Sequence, residues 1–364
     1  MKILLISYDY CKYDGRLREL IKVAKKLGEV TYITRASDGE RPLEKSHILY
    51  QDRGYSSFIL FVCMQVQKLG RQDLIFIDNR KGILPGYLAQ KLAGADYVVQ
   101  DCRELYDMKS AAGIPGKIGC VVERIFMKRA DVVIAANAYR AKIMTKMFRL
   151  KKEPLNYENI RRLEYTSEEK RRQVEAECRE FFAEPKFRIV STAGCDMTRT
   201  TGKMLEAMKG LGSGYELLLI GESEEEDELI VRETIRRLGL TNVKILPRMD
   251  QDHLKYFIRN SQAGMVTYHQ RDLNNRYCAS GKIFEFLFEG KPVVTSTNPP
   301  LKDFCEKYKV GQASDDYEQA VRMLAGQYGQ WQNNVERFAG RIHVEQNNKK
   351  LAEQIRRLLE EQKR

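Results

Sequence analysis

The residues best suited to bind a ligand lie in one short stretch, where a serine, a glycine and a lysine precede an apolar run. Ser280 is predicted to cap a helix whose first turn presents unpaired N–H groups. Gly281 lets a ligand approach the backbone, and Lys282 adds a positive charge at the same end. Glu285, one turn further along, is placed to accept hydrogen bonds from ribose hydroxyls. These residues predict a diphosphate seat, although a capped surface helix with a Lys–Glu pair explains the pattern equally well.

The wider segment resembles the donor-binding signature of the large retaining glycosyltransferase family four, in the variant K-[IL]-F-E-[YF]-L-x-x-G-K-P-V-V. The matching residues are Lys282, Ile283, Phe284, Glu285, Phe286, Leu287, Gly290, Lys291, Pro292, Val293 and Val294. The likeness extends over nearly the whole chain and includes Asp14-x-Arg16, the 159–161 segment and Gly221. It implies a two-domain α/β fold of the GT-B type, a nucleotide diphosphate sugar as donor, and transfer with retention of configuration.

The resemblance also assigns roles in the second half of the chain. It implies that Lys282 contacts the donor diphosphate and Glu285 the ribose, with Tyr277, Ser280 and Gly281 beside them. The common family pattern carries a first glutamate at the position of Tyr277. This departure leaves the contacts to the donor hexose open.

Two loops complete the donor site that the resemblance implies. The 246–249 loop, which contains Arg248, flanks the base, and the 194–201 loop closes over the phosphates. Arg199 is the only cation in the second loop, where a solvated loop arginine is an equally good interpretation. The family expects a basic pair in that loop, but Cys195 and Thr201 occupy those positions.

In the first half, the stretch from Asp101 to Leu105 follows a strand and resembles the family's D-x-H-E segment, with Arg103 in place of histidine. Asp101 or Glu104 is predicted to orient an acceptor hydroxyl, and Arg103 to steady developing phosphate charge. A helix cap or a loop ion pair is the alternative interpretation.

Near the N-terminus, Gly15 and Arg16 open the first helix and are predicted to form an acceptor or phosphate loop. An ordinary turn glycine before a helix explains Gly15 equally well.

Short β-branched runs alternate with amphipathic stretches, which predicts two doubly wound, Rossmann-like parallel sheets facing each other across a cleft. The predicted strands are 2–7, 30–34, 74–78, 97–100, 132–135, 188–192, 216–221, 243–246, 264–268 and 292–296. The predicted helices are 16–26, 84–92, 117–128, 167–182, 201–209, 225–238, 251–260 and 282–289. We expect an N-terminal acceptor-side domain over 1–165, a charged linker helix over 166–186, a nucleotide-sugar domain over 187–340, and a C-terminal helix over 341–364 that packs back on the first domain.

Composition excludes several classes of protein. With 43% apolar and 31% charged residues, and no apolar run near the roughly 18–20 residues of a membrane span, the chain is expected to be cytoplasmic. Its eight scattered cysteines and four histidines show no metal-ligand spacing, so neither a metal nor a cofactor is expected. The Asp250-Gln251-Asp252 sequence has the D-x-D form associated with metal-dependent transferases, but we expect it to cap the following helix instead of binding a metal. The 58–66 run is expected to form a core helix in preference to a membrane contact.

The leading hypothesis is a hexosyltransferase-like enzyme that moves a sugar from a nucleotide diphosphate sugar to a glycan or lipid-linked acceptor, in cell-surface polysaccharide or glycoconjugate synthesis. The net charge of +12 is compatible with peripheral contact to the inner membrane surface. Nucleic acid is not an expected partner, because basic and aromatic residues do not interleave. Two alternatives stay open: a nucleotide-sugar epimerase on the same fold, and a non-catalytic basic binding protein.

Overall fold

The structure is a computed structural model that describes residues 1–12, 14–37, 39–51 and 53–362. The chain divides into two compact units, one comprising Met1–Asn159 with the chain from Val344 onward, the other Ile160–His343. The second unit therefore begins before the predicted boundary at 165/166 and includes the predicted linker helix. The cause lies in contacts of the 160–166 segment: Lys255 Nζ donates to the Leu163 carbonyl at 2.9 Å, and Thr166 Oγ1 donates to Asp252 at 2.7 Å.

Strands and helices alternate along both units. The strands of the first unit are β1 (Lys2–Tyr10), β2 (Glu29–Ala36), β3 (His47–Gln51), β4 (Leu74–Asp78), β5 (Tyr97–Cys102), β6 (Val132–Ala135) and β7 (Leu155–Asn156). Those of the second unit are β8 (Phe187–Ser191), β9 (Tyr215–Ile220), β10 (Val243–Leu246), β11 (Ala263–Val266), β12 (Val293–Thr295) and β13 (Gly311–Ala313).

The helices follow in chain order. They are α1 (Gly15–Leu27), α2 (Tyr55–Leu69), α3 (Ile83–Ala93), α4 (Gly113–Met127), α5 (Ala138–Phe148), α6 (Glu168–Cys178), α7 (Thr201–Leu211), α8 (Glu225–Leu238), α9 (Gln251–Arg259), α10 (Leu273–Arg276), α11 (Lys282–Leu287), α12 (Pro299–Tyr308), α13 (Tyr317–Gly326), α14 (Tyr328–Ala339) and α15 (Val344–Glu361). Among the described residues, no helix is both long and apolar enough to cross a membrane.

The described part of the first unit forms a seven-stranded parallel sheet in the order β3-β2-β1-β4-β5-β6-β7. Its central strands read as apolar runs because both faces are covered by helices. Helices α1 and α15 cover one face, where Leu20 and Ile355 share a buried cluster. Helices α2 and α3 cover the other, where Phe58 and Tyr87 do the same. The C-terminal helix thus packs within the first unit.

The described part of the second unit forms a six-stranded parallel sheet in the order β10-β9-β8-β11-β12-β13. Chain order reverses between β8 and β11, as it does between β1 and β4 in the first unit. In open parallel sheets, ligands bind outside the carboxyl ends of the strands at such a reversal. The predicted α/β architecture is therefore confirmed for each unit, and the reversal marks where a site belongs.

A glycine allows α11 to lie close to the sheet of the second unit. Gly264 lies in β11, and a Cβ atom there would stand 2.3 Å from the Phe286 ring of α11. Any side chain at this position would push α11 away, since such a distance is far inside van der Waals contact. The close approach places Lys282, the first residue of α11, at the carboxyl end of the sheet.

Candidate functional site

A pocket of about 230 Å³, open to solvent, lies at the chain reversal of the second unit. Its lining comes from the ends of β8 and β11, from the loop after β8, and from the start of α11. The lining residues are Ser191, Thr192, Ala193, Arg199, Met265, Val266, Thr267, Tyr268 and Lys282. The pocket is small, and the polar groups among these residues are what it offers to a ligand.

Lys282 carries the charge that dominates this pocket. Its Nζ donates to the carbonyl oxygen of Thr192. Burial lowers the pKa of Lys282 from 10.5 to about 8; Glu285 opposes this shift, and Arg199 and Arg161 add to it. Nearby negative charge only partly compensates the protonated form of Lys282. A bound anion would therefore stabilise that protonated form.

Three polar side-chain atoms in this region are buried and have no hydrogen-bond partner among the described residues. They are Thr192 Oγ1, Arg199 Nη1 and Ser280 Oγ. Thr192 and Arg199 line the pocket with Lys282. A buried polar group without a partner costs about 1–3 kcal/mol, so native proteins seldom leave several in one place. The pocket thus holds hydrogen-bonding capacity that the protein itself does not use.

Arg199 is held in place by its surroundings. Its Nε donates to Asp196 at 3.2 Å, and its guanidinium lies 4.0 Å from the centroid of the Tyr268 ring. Thr267 Oγ1 donates to the Arg199 carbonyl oxygen. These contacts orient the side chain while Nη1 keeps its unused donor. The prediction that Arg199 is a site residue stays a prediction, and the structure places it in the pocket with Lys282.

The loop after β8 is tightly folded, and Gly194 makes that possible. Gly194 has φ +61°, and a Cβ atom there would lie 2.7 Å from Ser223 Oγ. The N–H of Cys195 donates to that same Ser223 oxygen at 2.9 Å. Both Cys195 and Thr201 are fully buried. Cys195 and Thr201, which occupy the two positions where the family resemblance expects basic residues, are therefore packed inside this loop.

The start of α11 differs from the prediction at Ser280. Gly281 already has helical dihedrals, φ −70° and ψ −20°, and is itself the N-cap residue, without a side-chain bond. Ser280 consequently precedes the cap, and the prediction that it caps the helix is wrong. Because α11 has only six residues, its dipole adds little, and the charge of Lys282 is the main attraction for an anion.

Glu285 is buried in α11 and has a partner that sequence reasoning missed. Its Oε1 lies 2.6 Å from Arg161 Nε, an ion pair in which Glu285 is almost inaccessible. Arg161 entered the sequence analysis only through the 159–161 segment of the family resemblance. No local pattern connects two residues so far apart in the chain. The predicted ribose contact at Glu285 therefore involves a carboxylate whose charge Arg161 already balances.

Two other predicted donor residues lie away from the pocket lining. Arg248 is exposed, and its Nη1 lies 3.1 Å from Glu222 Oε2. Tyr277 is half-buried at the end of α10, where its N–H donates to the Leu273 carbonyl at 3.0 Å. Their roles in donor binding stay predictions.

In the first unit, the predicted catalytic residues belong to a network of arginines and aspartates at the carboxyl ends of β4 and β5. Arg16 donates to both Asp101 oxygens, at 2.9 Å from Nε and 2.6 Å from Nη2. Arg103 Nε donates to Asp78 Oδ1 at 2.8 Å, and Arg103 also donates to Asp14. This differs from the predicted roles: Asp101 and Arg16 are buried and hold each other, so neither is presented to an acceptor or a phosphate. Gly15 begins α1 beside them.

Burial raises the pKa of Asp78 to about 7, with Arg103 opposing the shift and Asp101 and Asp14 adding to it. The contacts from Arg103 and Arg16 are therefore what allow Asp78 and Asp101 to lie close together at this edge.

Glu104 is the most accessible of the three predicted catalytic residues. Its side chain is 38% exposed, and Oε2 lies 3.6 Å from Arg140 Nη1. The alternative interpretation of a loop ion pair describes this contact. A catalytic role for Glu104 stays a prediction.

Both aspartates of the Asp-x-Asp sequence have hydrogen-bond partners within the protein. Asp250 caps α9 by accepting a hydrogen bond from the His253 N–H at 2.9 Å, which confirms the predicted cap. Asp252 accepts a hydrogen bond from the backbone N–H of Thr166. Within the described residues, no group of three or more His, Cys, Asp or Glu side chains is arranged to hold a metal ion.

We predict that Asp101→Asn destabilises the protein by about 3–5 kcal/mol, because it leaves the Arg16 guanidinium buried without its anion. Urea or thermal unfolding measures the change. Asp96→Asn is the matched control: Asp96 lies 3.5 Å from Arg71 in an exposed pair, and its loss should cost less than about 1 kcal/mol. A variant as stable as the wild type would contradict the structural role of Asp101.

No family model and no curated protein matches the chain. Solved structures do. HepE of Anabaena, in complex with UDP and glucose, is 17% identical at a TM-score of 0.72, over 98% of this chain and 99% of that one. Sucrose-phosphate synthase from Thermosynechococcus elongatus is 16% identical at 0.75, over 99% of each chain. A proposed UDP-N-acetylglucosamine 2-epimerase from Listeria monocytogenes is 12% identical at 0.61, over 99% of this chain and 97% of that one. These similarities show the fold: the chain has the α/β GT-B architecture, with two Rossmann-like units.

Proposed function

We propose that this protein is a glycosyltransferase that takes a nucleotide diphosphate sugar as donor. The partly buried Lys282 ammonium supports this proposal, because it shares a pocket with the unused donors of Thr192 and Arg199. HepE, a protein of the same fold, has been solved with UDP-glucose, which supports a donor of this class.

A diphosphate matches the chemistry of the pocket. Its oxygens accept hydrogen bonds only, and the pocket offers an ammonium, a guanidinium N–H and a hydroxyl. The nearby charged groups are Lys282, Arg199 and Arg161 against Glu285 and Asp196, so positive charge is in excess before a ligand binds. A bound diphosphate would supply the missing negative charge and partners for the buried donors at once.

Glu285 completes the donor site in this proposal. It lies on α11 one turn from Lys282, so a nucleotide whose diphosphate contacts Lys282 brings its ribose to the Glu285 carboxylate. The ribose hydroxyls donate to this carboxylate, and Arg161 keeps it paired in their absence. Ser280 Oγ, one residue before the cap, adds a further donor.

The same cations serve the transfer step. When the bond between the anomeric carbon and the β-phosphate breaks, negative charge develops on the departing diphosphate. Lys282 and Arg199 are positioned to stabilise this charge. The acceptor is a glycan or a lipid-linked sugar, the configuration is retained, and the product belongs to a cell-surface polysaccharide or glycoconjugate. These finer points follow from the family resemblance.

A nucleotide-sugar epimerase is the second candidate, favoured by the fold shared with the Listeria protein. The two activities differ in their need for an acceptor. Wild-type protein incubated with a donor sugar should release nucleoside diphosphate only when a glycan or lipid acceptor is added. An isomerised donor that forms without any acceptor would instead establish the epimerase.

We expect Lys282→Met to weaken binding of the preferred nucleoside diphosphate by roughly 10- to 150-fold, which corresponds to the loss of one charged hydrogen bond of about 1.5–3 kcal/mol. Isothermal titration with UDP, GDP, ADP and dTDP identifies that nucleotide and measures the loss, and CMP serves as a monophosphate for comparison. Lys302→Met is the control, because Lys302 is an exposed lysine on α12 in the same unit. Equal affinity in Lys282→Met and the wild type would refute the donor site.

Binding should also take up protons. At pH 8, near the lowered pKa of Lys282, about half of the free protein carries a neutral Lys282, and a bound phosphate restores the charged form. Titration in Tris and in HEPES at pH 8 should therefore give different apparent enthalpies. The difference should be about half of the difference between the ionisation enthalpies of the two buffers, because about half a proton is taken up on binding. Affinity should fall as the pH rises above 8. Lys282→Met should show no such uptake, and its persistence there would assign the proton to another group.

A further inference from the structure

Three neighbouring helices of the first unit share a single outer surface. Helix α3 packs against both α2 and α4 on one face of the sheet. Their inner sides meet in one core cluster, which includes Val62 of α2, Tyr87 of α3 and, at its margin, Phe126 of α4. The opposite sides of these helices face solvent.

The solvent side of α4 is apolar in a regular pattern. Ile114, Ile118, Val121 and Ile125 are 75%, 57%, 47% and 45% exposed. Their spacing of four, three and four residues places them in one stripe along the helix. A helix with a buried face and a separate exposed apolar stripe has more apolar surface than the fold of its own unit uses.

The other two helices extend this stripe into a surface. Its members are Leu60 and Met64 of α2, Leu84, Leu88 and Leu92 of α3, and Ile114, Ile118, Val121 and Ile125 of α4. We call this set the α2–α4 surface. More than half of the large hydrophobic residues exposed in the described part of the chain belong to it. A contiguous apolar area of this kind marks a contact with a partner or a membrane.

The 58–66 run in α2 illustrates why sequence analysis saw only a core helix. Phe58, Val62 and Val66 are buried in the core, as predicted. Leu60 and Met64 of the same run are 67% and 56% exposed. The helix is apolar on both sides, and only one side has a partner within the described residues.

The charge within the three helical stretches is almost entirely positive, and the aspartates Asp96, Asp107 and Asp131 lie at their margins. The stretches 54–70, 80–95 and 108–130 contain the basic residues Lys68, Arg80, Lys81, Lys91, Lys109, Lys117, Arg124, Lys128 and Arg129. Glu123 is their only acidic residue, and it is buried with Arg80 Nε 3.5 Å away. In a chain with 50 acidic residues, acids are thus excluded from the exposed positions of these three stretches.

We infer that the α2–α4 surface docks onto an anionic lipid bilayer. Aliphatic side chains in a stripe enter the boundary between headgroups and acyl chains, and surrounding lysines and arginines attract lipid phosphates. A second copy of this chain would bring the same positive charge against itself. Nucleic acid would use the charge but leave the aliphatic stripe exposed to water.

This inference goes beyond the proposed function and does not depend on it. The donor pocket belongs to the second unit, whereas the α2–α4 surface belongs to the first. Membrane docking and nucleotide binding are therefore measured separately, and either can fail while the other holds.

The test is vesicle flotation of the full chain. The protein should float with vesicles of phosphatidylcholine containing phosphatidylglycerol, remain behind with phosphatidylcholine alone, and dissociate as salt is raised. Ile114→Glu with Ile118→Glu should abolish flotation. Leu229→Glu is the matched control, since Leu229 is 59% exposed on α8 of the second unit, and it should float like the wild type. Far-UV circular dichroism and the midpoint of thermal unfolding should be the same in all three proteins, which shows that they are folded.

A second variant tests the charges separately. Lys117→Gln with Arg124→Gln should weaken partition about thirtyfold, since each basic residue adds about 1 kcal/mol at an anionic surface. Lys349→Gln with Arg357→Gln removes two exposed charges from α15 and should leave partition unchanged. No flotation of the wild type, or equal losses in the controls, would overturn the inference. So would a dimer in sedimentation velocity that Ile118→Glu dissociates while vesicles are not bound.

Discussion

The second unit holds a partly buried ammonium group, that of Lys282, and the organisation of its site follows from how that charge is compensated. Taking an isolated cation out of water is strongly unfavourable unless partners replace the lost hydration. The Thr192 carbonyl and the nearby Glu285 supply part of this compensation for Lys282. Arg199 and Arg161 oppose this compensation by repulsion. Together with the desolvation, they make the protonated form of Lys282 less stable, relative to its neutral form, than it is in water. A negatively charged ligand is the component that would complete the balance.

The fold determines where this charge can sit. Gly264 allows Phe286 to pack against β11, which holds Lys282 at the carboxyl end of the strands beside the reversal of chain order. The corresponding edge of the first unit also carries arginines and aspartates, but there Arg16 and Asp101 satisfy one another. The two edges thus have similar residues and different chemistry. One has its charges paired internally, and the other keeps unused donors.

Much of this arrangement could be predicted from sequence, and the omissions have physical causes. Strong local periodicity defined β4, β6, β10 and α8 at their observed bounds. Edge strands such as β3 and β13 were missed, because short and partly exposed strands carry little hydrophobic signal. The signature segment pointed to Lys282 and Glu285. It could not reveal Arg161 as the partner of Glu285, since a contact between distant residues leaves no local pattern. The same holds for Asp101. Whether its carboxylate faces a ligand or pairs with another residue of the protein, such as Arg16, depends on the fold and cannot be read from the local sequence.

We propose that the pocket of Lys282, Arg199 and Thr192 binds a diphosphate, and a crystal structure with the most tightly bound nucleoside diphosphate would test this. We expect phosphate oxygens within about 3 Å of Lys282 Nζ, Arg199 Nη1 and Thr192 Oγ1, with the ribose beside Glu285. Phosphates bound elsewhere, while Lys282 Nζ still donates to the Thr192 carbonyl and the other two groups have no ligand contact, would refute diphosphate binding in this pocket.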